Sequence, residues 1–176
     1  MLSRLQAGFA TIPRSVAWAA TFLILAVGIA PFAPYIAAAA GEARLHAPNW
    51  ALLAAQPPAL KIHIAAALMA LGVGLFLMLR PKGRGLHKPV GWVWVAAMAV
   101  TAVSSLFITT FSDSYSIIHL FAGWTIIALP MAIAAIRRRN VRAHGRGMTG
   151  LFIGGLLIAG ALTFLPGRLM WTLFLG

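Results

Sequence analysis

Five apolar runs, each close to the roughly 20 residues a helix needs to cross the hydrocarbon core of a bilayer, constrain this chain more than anything else in it. They cover residues 16–40, 60–79, 90–111, 117–136 and 148–165. None alternates polar with apolar residues, as a strand of a membrane β-barrel must. With 61% of its residues hydrophobic and 9% charged, the chain is far more apolar than a soluble domain of this length. The expected fold is all-α: an integral membrane protein with five transmembrane helices, spans two to five forming an up-and-down four-helix bundle. Short connections make those four spans sequential antiparallel neighbours. The chain reads as one membrane domain. Residues 1–59 are a leading helix and outer loop, 60–165 the core, and 166–176 a short outer tail, since 171–175 is too short to span.

The first span has a second reading. Arg4 and Arg14 before it and the alanines at 37–40 suit a signal peptide. The apolar run continues past an ordinary signal core, so a retained helix is the expectation.

Charge fixes an orientation. The formal net charge of +12 would suggest nucleic acid in a soluble protein, but its placement points elsewhere. Arg4 and Arg14 precede span one. Arg80, Lys82, Arg84 and Lys88 join spans two and three, and Arg137, Arg138, Arg139, Arg142 and Arg146 join spans four and five. Only Arg44, Lys61 and Arg168 fall on the other side, with the two acids, Glu42 and Asp113. This is the positive-inside pattern. It predicts a cytoplasmic N-terminus, an outer C-terminus, and a lipid bilayer rather than nucleic acid as partner. The basic loops also attract anionic headgroups.

Local signals place the helix ends. In the loop 41–59, residues 48–55 predict a short interfacial helix with Pro48 near its first turn and Trp50 at headgroup level. Pro57 and Pro58 end it and launch span two. Pro89 suits the first turn of span three, where its missing N–H costs nothing. Pro130 is expected to kink span four, and Asn140 to cap span five.

Cysteine is absent. That excludes thiolate-ligated haem, covalently attached haem and cysteine-held iron–sulfur clusters. Histidine is then the strong metal ligand that remains. His63, His87, His119 and His144 sit one apiece near the ends of spans two to five. In an up-and-down bundle His63 and His119 share the outer end, and His87 and His144 the inner end. Spans two and four lie on one diagonal, three and five on the other, so each pair can face across the bundle axis. The two levels would lie on the order of 20–25 Å apart, from the helical rise. Ionisable groups inside a membrane are costly and are functional candidates by default. His46, in the outer loop, has no such partner and is expected to face solvent.

Small residues follow each histidine on its own helix face. Ala67, Ala70 and Gly74 follow His63; Gly91 follows His87; Gly123 follows His119; Gly147 and Gly155 follow His144. They suit the close approach of a flat macrocycle, and equally suit close helix packing. Zinc wants about four ligands at one point, whereas these histidines divide two and two. Two ligands per site suit haem, because the porphyrin supplies four nitrogens itself. Two non-covalent b-type haems are therefore expected, with the four histidines as axial ligands. Arg80, Arg84 and Lys88 at the inner face and Lys61 at the outer are in place for the propionates. Ordinary snorkelling explains each of those cations singly.

These residues resemble the cytochrome b561 family, over 63 to about 165. The resemblance implies a four-helix core with one haem-ligating histidine per helix, paired second with fourth and third with fifth, and a transmembrane oxidoreductase. This chain lacks that family's sixth helix, and no ascorbate-binding motif is found. The segments HKPVGWVW (87–94) and RAHGRGM (142–148) also resemble a family of small predicted bacterial membrane proteins of unassigned function. The expected function is transmembrane electron transfer, with a quinone or a small-molecule or protein redox partner. A homodimer is compatible with the sequence. The competing expectation is a cofactor-free transporter subunit or assembly factor, whose histidines hold structure or relay protons.

Overall fold

The structure, a computed structural model, describes residues 30, 33–108 and 117–176, of which 117–119 by backbone alone. Most of the expected first span lies outside these residues, as do Asp113 and the side chain of His119. The chain divides into two compact units, Met1–Ala43 and Arg44–Gly176. In the first, helix α1 covers Ala33–Glu42; its run of alanines is intrinsically helix-forming.

The second unit contains helices α2 (Trp50–Ala54), α3 (Pro58–Leu79), α4 (His87–Ser105), α5 (Ile117–Arg137), α6 (Val141–Leu162) and α7 (Leu169–Phe174). Among the described residues there is no strand. Among the described residues three helices are long and apolar enough to cross a membrane: α3, α5 from Leu120 to Arg137, and α6. Helix α4 has 19 residues but opens on His87, Lys88 and Pro89 and closes on Thr101, Ser104 and Ser105. Those hydroxyls turn back onto their own helix. Thr101 donates to Ala97 at 2.8 Å, Ser104 to Val100 at 2.6 Å and Ser105 to Ala102 at 2.7 Å. Each polar group thus brings its own partner into apolar surroundings.

Helix α3 packs on α4, α4 on α5, α5 on α6, and the middle of α6 on α3. The ring closes, leaving α3 opposite α5 and α4 opposite α6, as the sequence predicts. Neighbours run antiparallel. Gly74 meets Trp94 while His63 meets Thr101; Gly147 meets Ala132 while Gly154 meets Trp124. The core between them holds Ala70, Leu77, Trp94, Ala97, Met98, Leu129, Leu151, Phe152 and Leu156. The outward faces are apolar too, with Leu68, Leu75, Trp92, Val100, Ile127, Met131 and Leu157 exposed. So wide an apolar exterior suits lipid rather than water.

The helix ends follow the local chemistry. Pro58 occupies the first turn of α3. Helix α2 starts at Trp50, two residues after Pro48, and Asn49 caps it: its side chain accepts from Leu52 N at 3.0 Å. Asn140 caps α6, accepting from Ala143 N at 3.0 Å. Helix α6 therefore begins seven residues before the apolar run at 148, and its stretch Leu151–Ile158 is π-helical. Pro130 lies inside α5. The tail forms a helix of six residues, too short to span. It is tied to the outer loop by backbone bonds from Arg44, His46 and Asn49 to Leu175, Phe174 and Leu173.

Candidate functional site

Helix direction places His63 near the start of α3 and His87 and His144 at the starts of α4 and α6, at the other end of the bundle. The first end is called outer and the second inner, after the charge distribution. The His63 ring turns to α4. Its Nδ1 lies 2.8 Å from the Thr101 carbonyl oxygen, and a carbonyl can only accept, so Nδ1 carries the proton and donates. The Ser104 hydroxyl stands 3.3 Å from the same nitrogen. A neutral imidazole with its proton on Nδ1 keeps the lone pair on Nε2.

His144 repeats the arrangement at the inner end. The Asn140 cap sets its turn, and its Nδ1 donates to the Ala132 carbonyl of α5 at 2.9 Å. His87, the first residue of α4, is half-buried beside it. Partial burial holds the His87 pKa below the ordinary histidine value of 6.5, and the charges of His144 and Lys82 push it the same way. The neutral, ligating form is thereby favoured. His119 opens α5, one helix across the diagonal from α3, with its side chain outside the described residues.

The small residues separate into two groups. At Gly74 an added Cβ would come within 2.6 Å of Trp94 Nε1 and of two Phe152 ring atoms. At Gly147 it would lie 2.8 Å from the Ala132 Cβ, and at Gly155 3.1 Å from Thr125 Oγ1. Ala70 is fully buried and Ala67 packs against the core. These positions serve helix contact. At Gly91 and Gly123 an added Cβ would meet nothing within 4 Å among the described residues, so no described helix accounts for them.

The two basic loops lie together at the inner end, and all nine of their lysines and arginines are exposed. The Arg80 guanidinium sits 5.0 Å over the Phe76 ring, Lys82 donates to the Met78 carbonyl at 2.6 Å, and Lys88 is exposed. At the outer end Lys61 donates to the Ala54 carbonyl at 3.0 Å. His46 is exposed, as expected, with its ring nitrogens near the Ala47 and Gly176 carbonyls. Among the described residues no three His, Cys, Asp or Glu side chains gather at one point. The Thr101 and Ala132 carbonyls that orient the histidines were not foreseen, because a backbone acceptor leaves no mark in a sequence.

Fold and site together define an all-α membrane protein whose four-helix core carries oriented histidines at both ends. Residues 60–174, well over half the chain, match the DUF2306 family of predicted membrane proteins, and the chain belongs to that family. No curated protein and no solved structure matches it. The family match agrees with the resemblance read from HKPVGWVW and RAHGRGM. It carries no activity, and the likeness to a cytochrome b561 core rests on histidine placement.

Proposed function

We propose that this protein is a di-haem, b-type electron-transfer protein of the bacterial inner membrane, with His63 and His119 holding one haem and His87 and His144 the other. One observation carries the reading: His63 and His144, at opposite ends of the bundle, each spend Nδ1–H on a backbone carbonyl. That hydrogen bond fixes tautomer and ring orientation, and it is what a metal-ligating histidine makes on its far side. The donor set fits the group, because two imidazoles complete a coordination that a porphyrin otherwise supplies. Gly91 and Gly123 offer unfilled helix faces one turn from His87 and His119. A haem held by two of these imidazoles would supply one-electron transfer. The chain's own part is to orient the imidazoles and to exclude water from the layer between the two ends. Trp94, Met98, Leu151 and Phe152 pack that layer.

The same two hydrogen bonds also tether α3 to α4 and α5 to α6, as a cofactor-free protein with structural histidines would use them. Absorption separates the readings. Protein expressed with ample haem should show reducible Soret and α bands with two haems per chain. His63→Ala and His144→Ala should each remove about half the haem and leave the other half spectrally intact. A colourless native protein, or a full haem complement in both variants, rejects the proposal.

A further inference from the structure

A groove of about 420 Å³ lies at the outer end between α2 and one face of α3. That volume falls among small-ligand sites, at about 300–1,000 Å³. Trp50, Leu53 and Ala54 form one wall and Lys61, Ile64, Ala65 and Leu68 the other. The α3 residues are spaced three, four and seven apart, so they share one helix face. His63, with buried Ala66, Ala70 and Gly74, lies on the face turned into the bundle. The groove therefore opens outward, away from the histidines.

Its walls are apolar except for the Lys61 ammonium. Lys61 gives one N–H to the Ala54 carbonyl, which leaves its charge and two further donors unspent. Among the described residues of this unit there is no acidic side chain to answer it. A lysine here also runs against the charge asymmetry that places basic residues at the inner end. From Lys61 the apolar wall descends seven residues to Leu68, about 10 Å along the helix.

We propose that this groove is a binding site for an anionic phospholipid of the outer leaflet, its phosphate on Lys61 and an acyl chain along Ile64, Ala65 and Leu68. A neutral quinone would leave the ammonium unmatched. The lipid would also hold α2 against α3, since Trp50, Leu53 and Ala54 contact it from the other side. The proposal does not depend on haem.

The test uses the full chain in phosphatidylcholine vesicles doped with equal amounts of brominated phosphatidylglycerol or brominated phosphatidylcholine. Bromine quenches nearby indoles, and the difference from a Trp50→Phe variant isolates the signal of Trp50. Phosphatidylglycerol should quench that component about fivefold more effectively, the effect of one cation at a membrane surface. Lys61→Gln should abolish the preference, and Lys82→Gln, at the inner end, should keep it. Ala65→Phe, which fills the groove, should weaken quenching by both lipids, with circular dichroism verifying helix content. Equal quenching by the two lipids, or a preference that survives Lys61→Gln, overturns the proposal. So does displacement of the brominated lipid by a short-chain quinone but not by unbrominated phosphatidylglycerol.

Discussion

A Cβ added at Gly147 would sit 2.8 Å from the Ala132 Cβ, while one added at Gly91 or Gly123 would meet none of the described residues within 4 Å. Sequence alone makes these three glycines equivalent, each a turn or less from a histidine. The structure gives them different work. Gly147 lets α6 approach the stretch of α5 whose Ala132 carbonyl orients His144. Gly147→Leu should therefore cost about 1–3 kcal/mol through overpacking and lower the thermal midpoint. Gly91→Leu and Gly123→Leu should leave the midpoint nearly unchanged yet reduce haem content. Parallel loss of stability and haem in all three variants would make every one of them a packing glycine. His87 adds a pH dependence. Its folded pKa lies below 6.5 through burial, then the His144 and Lys82 charges. Between the folded and unfolded values the unfolded chain binds more protons. The contribution of His87 to stability is thus fully present above about pH 6.5 and is lost as pH falls through the folded value. Removing a nearby cation should raise that value. In haem-free protein, ¹⁵N-histidine NMR should show the His87 midpoint moving to higher pH in Lys82→Gln; an unmoved midpoint would dismiss the coupling.

At the scale of the helix, the Asn140 cap joins folding to the orientation of His144. Its Oδ1 accepts the Ala143 amide one residue before His144. Asn140→Ala should cost about 1 kcal/mol and fray the turn that aims the imidazole at Ala132. Faster hydrogen exchange over 141–145, with weaker retention of the proposed inner haem on dilution in detergent, is the expected outcome; unchanged exchange would show that packing alone holds this turn. The cap was legible in the sequence because asparagine announces itself. So were the starts of α3 at Pro58 and of α4 near Pro89, since proline marks a first turn. The start of α6 at Val141 was less so. Its opening VRAHGRG is polar, and a hydropathy reading registers the helix only where it turns apolar at 148. The π-helical stretch Leu151–Ile158 has no sequence signature beyond Gly154 and Gly155, whose bare backbones accept Trp124 and Thr125. The four histidine positions were legible because one stands near an end of each of spans two to five. Their orienting partners were not, because the carbonyls of Thr101 and Ala132 belong to residues that any apolar helix could carry. Helix α4 shows how a bundle member tolerates a polar end: its Thr101 and Ser104 hydroxyls bond back to their own helix, the Thr101 carbonyl takes the His63 proton, and its middle is core.

For the molecule as a whole, the antiparallel register turns a charge count into a direction. Both basic loops emerge beside His87 and His144, while His63 lies at the end that carries α2 and α7. If the positive-inside rule holds, His87 and His144 face the cytoplasm. The absence of cysteine makes this directly measurable, since any introduced thiol is the sole one. Arg84→Cys, in the exposed loop between α3 and α4, should react with an impermeant maleimide from the cytoplasmic side only. Ala47→Cys, in the outer loop, should react from the other side only. The reverse labelling would exchange the two ends without disturbing the bundle. Transfer is the further step, because a path across the membrane needs both histidine levels. His87→Ala should abolish the passage of electrons from a reductant on one side of sealed vesicles to an impermeant acceptor on the other. Under the proposed function, the haem left at His63 and His119 should still be reduced by dithionite in detergent. If transfer across vesicles carrying His87→Ala matched the native rate, the relay through two levels would fail, leaving at most an outer site that serves chemistry on one face.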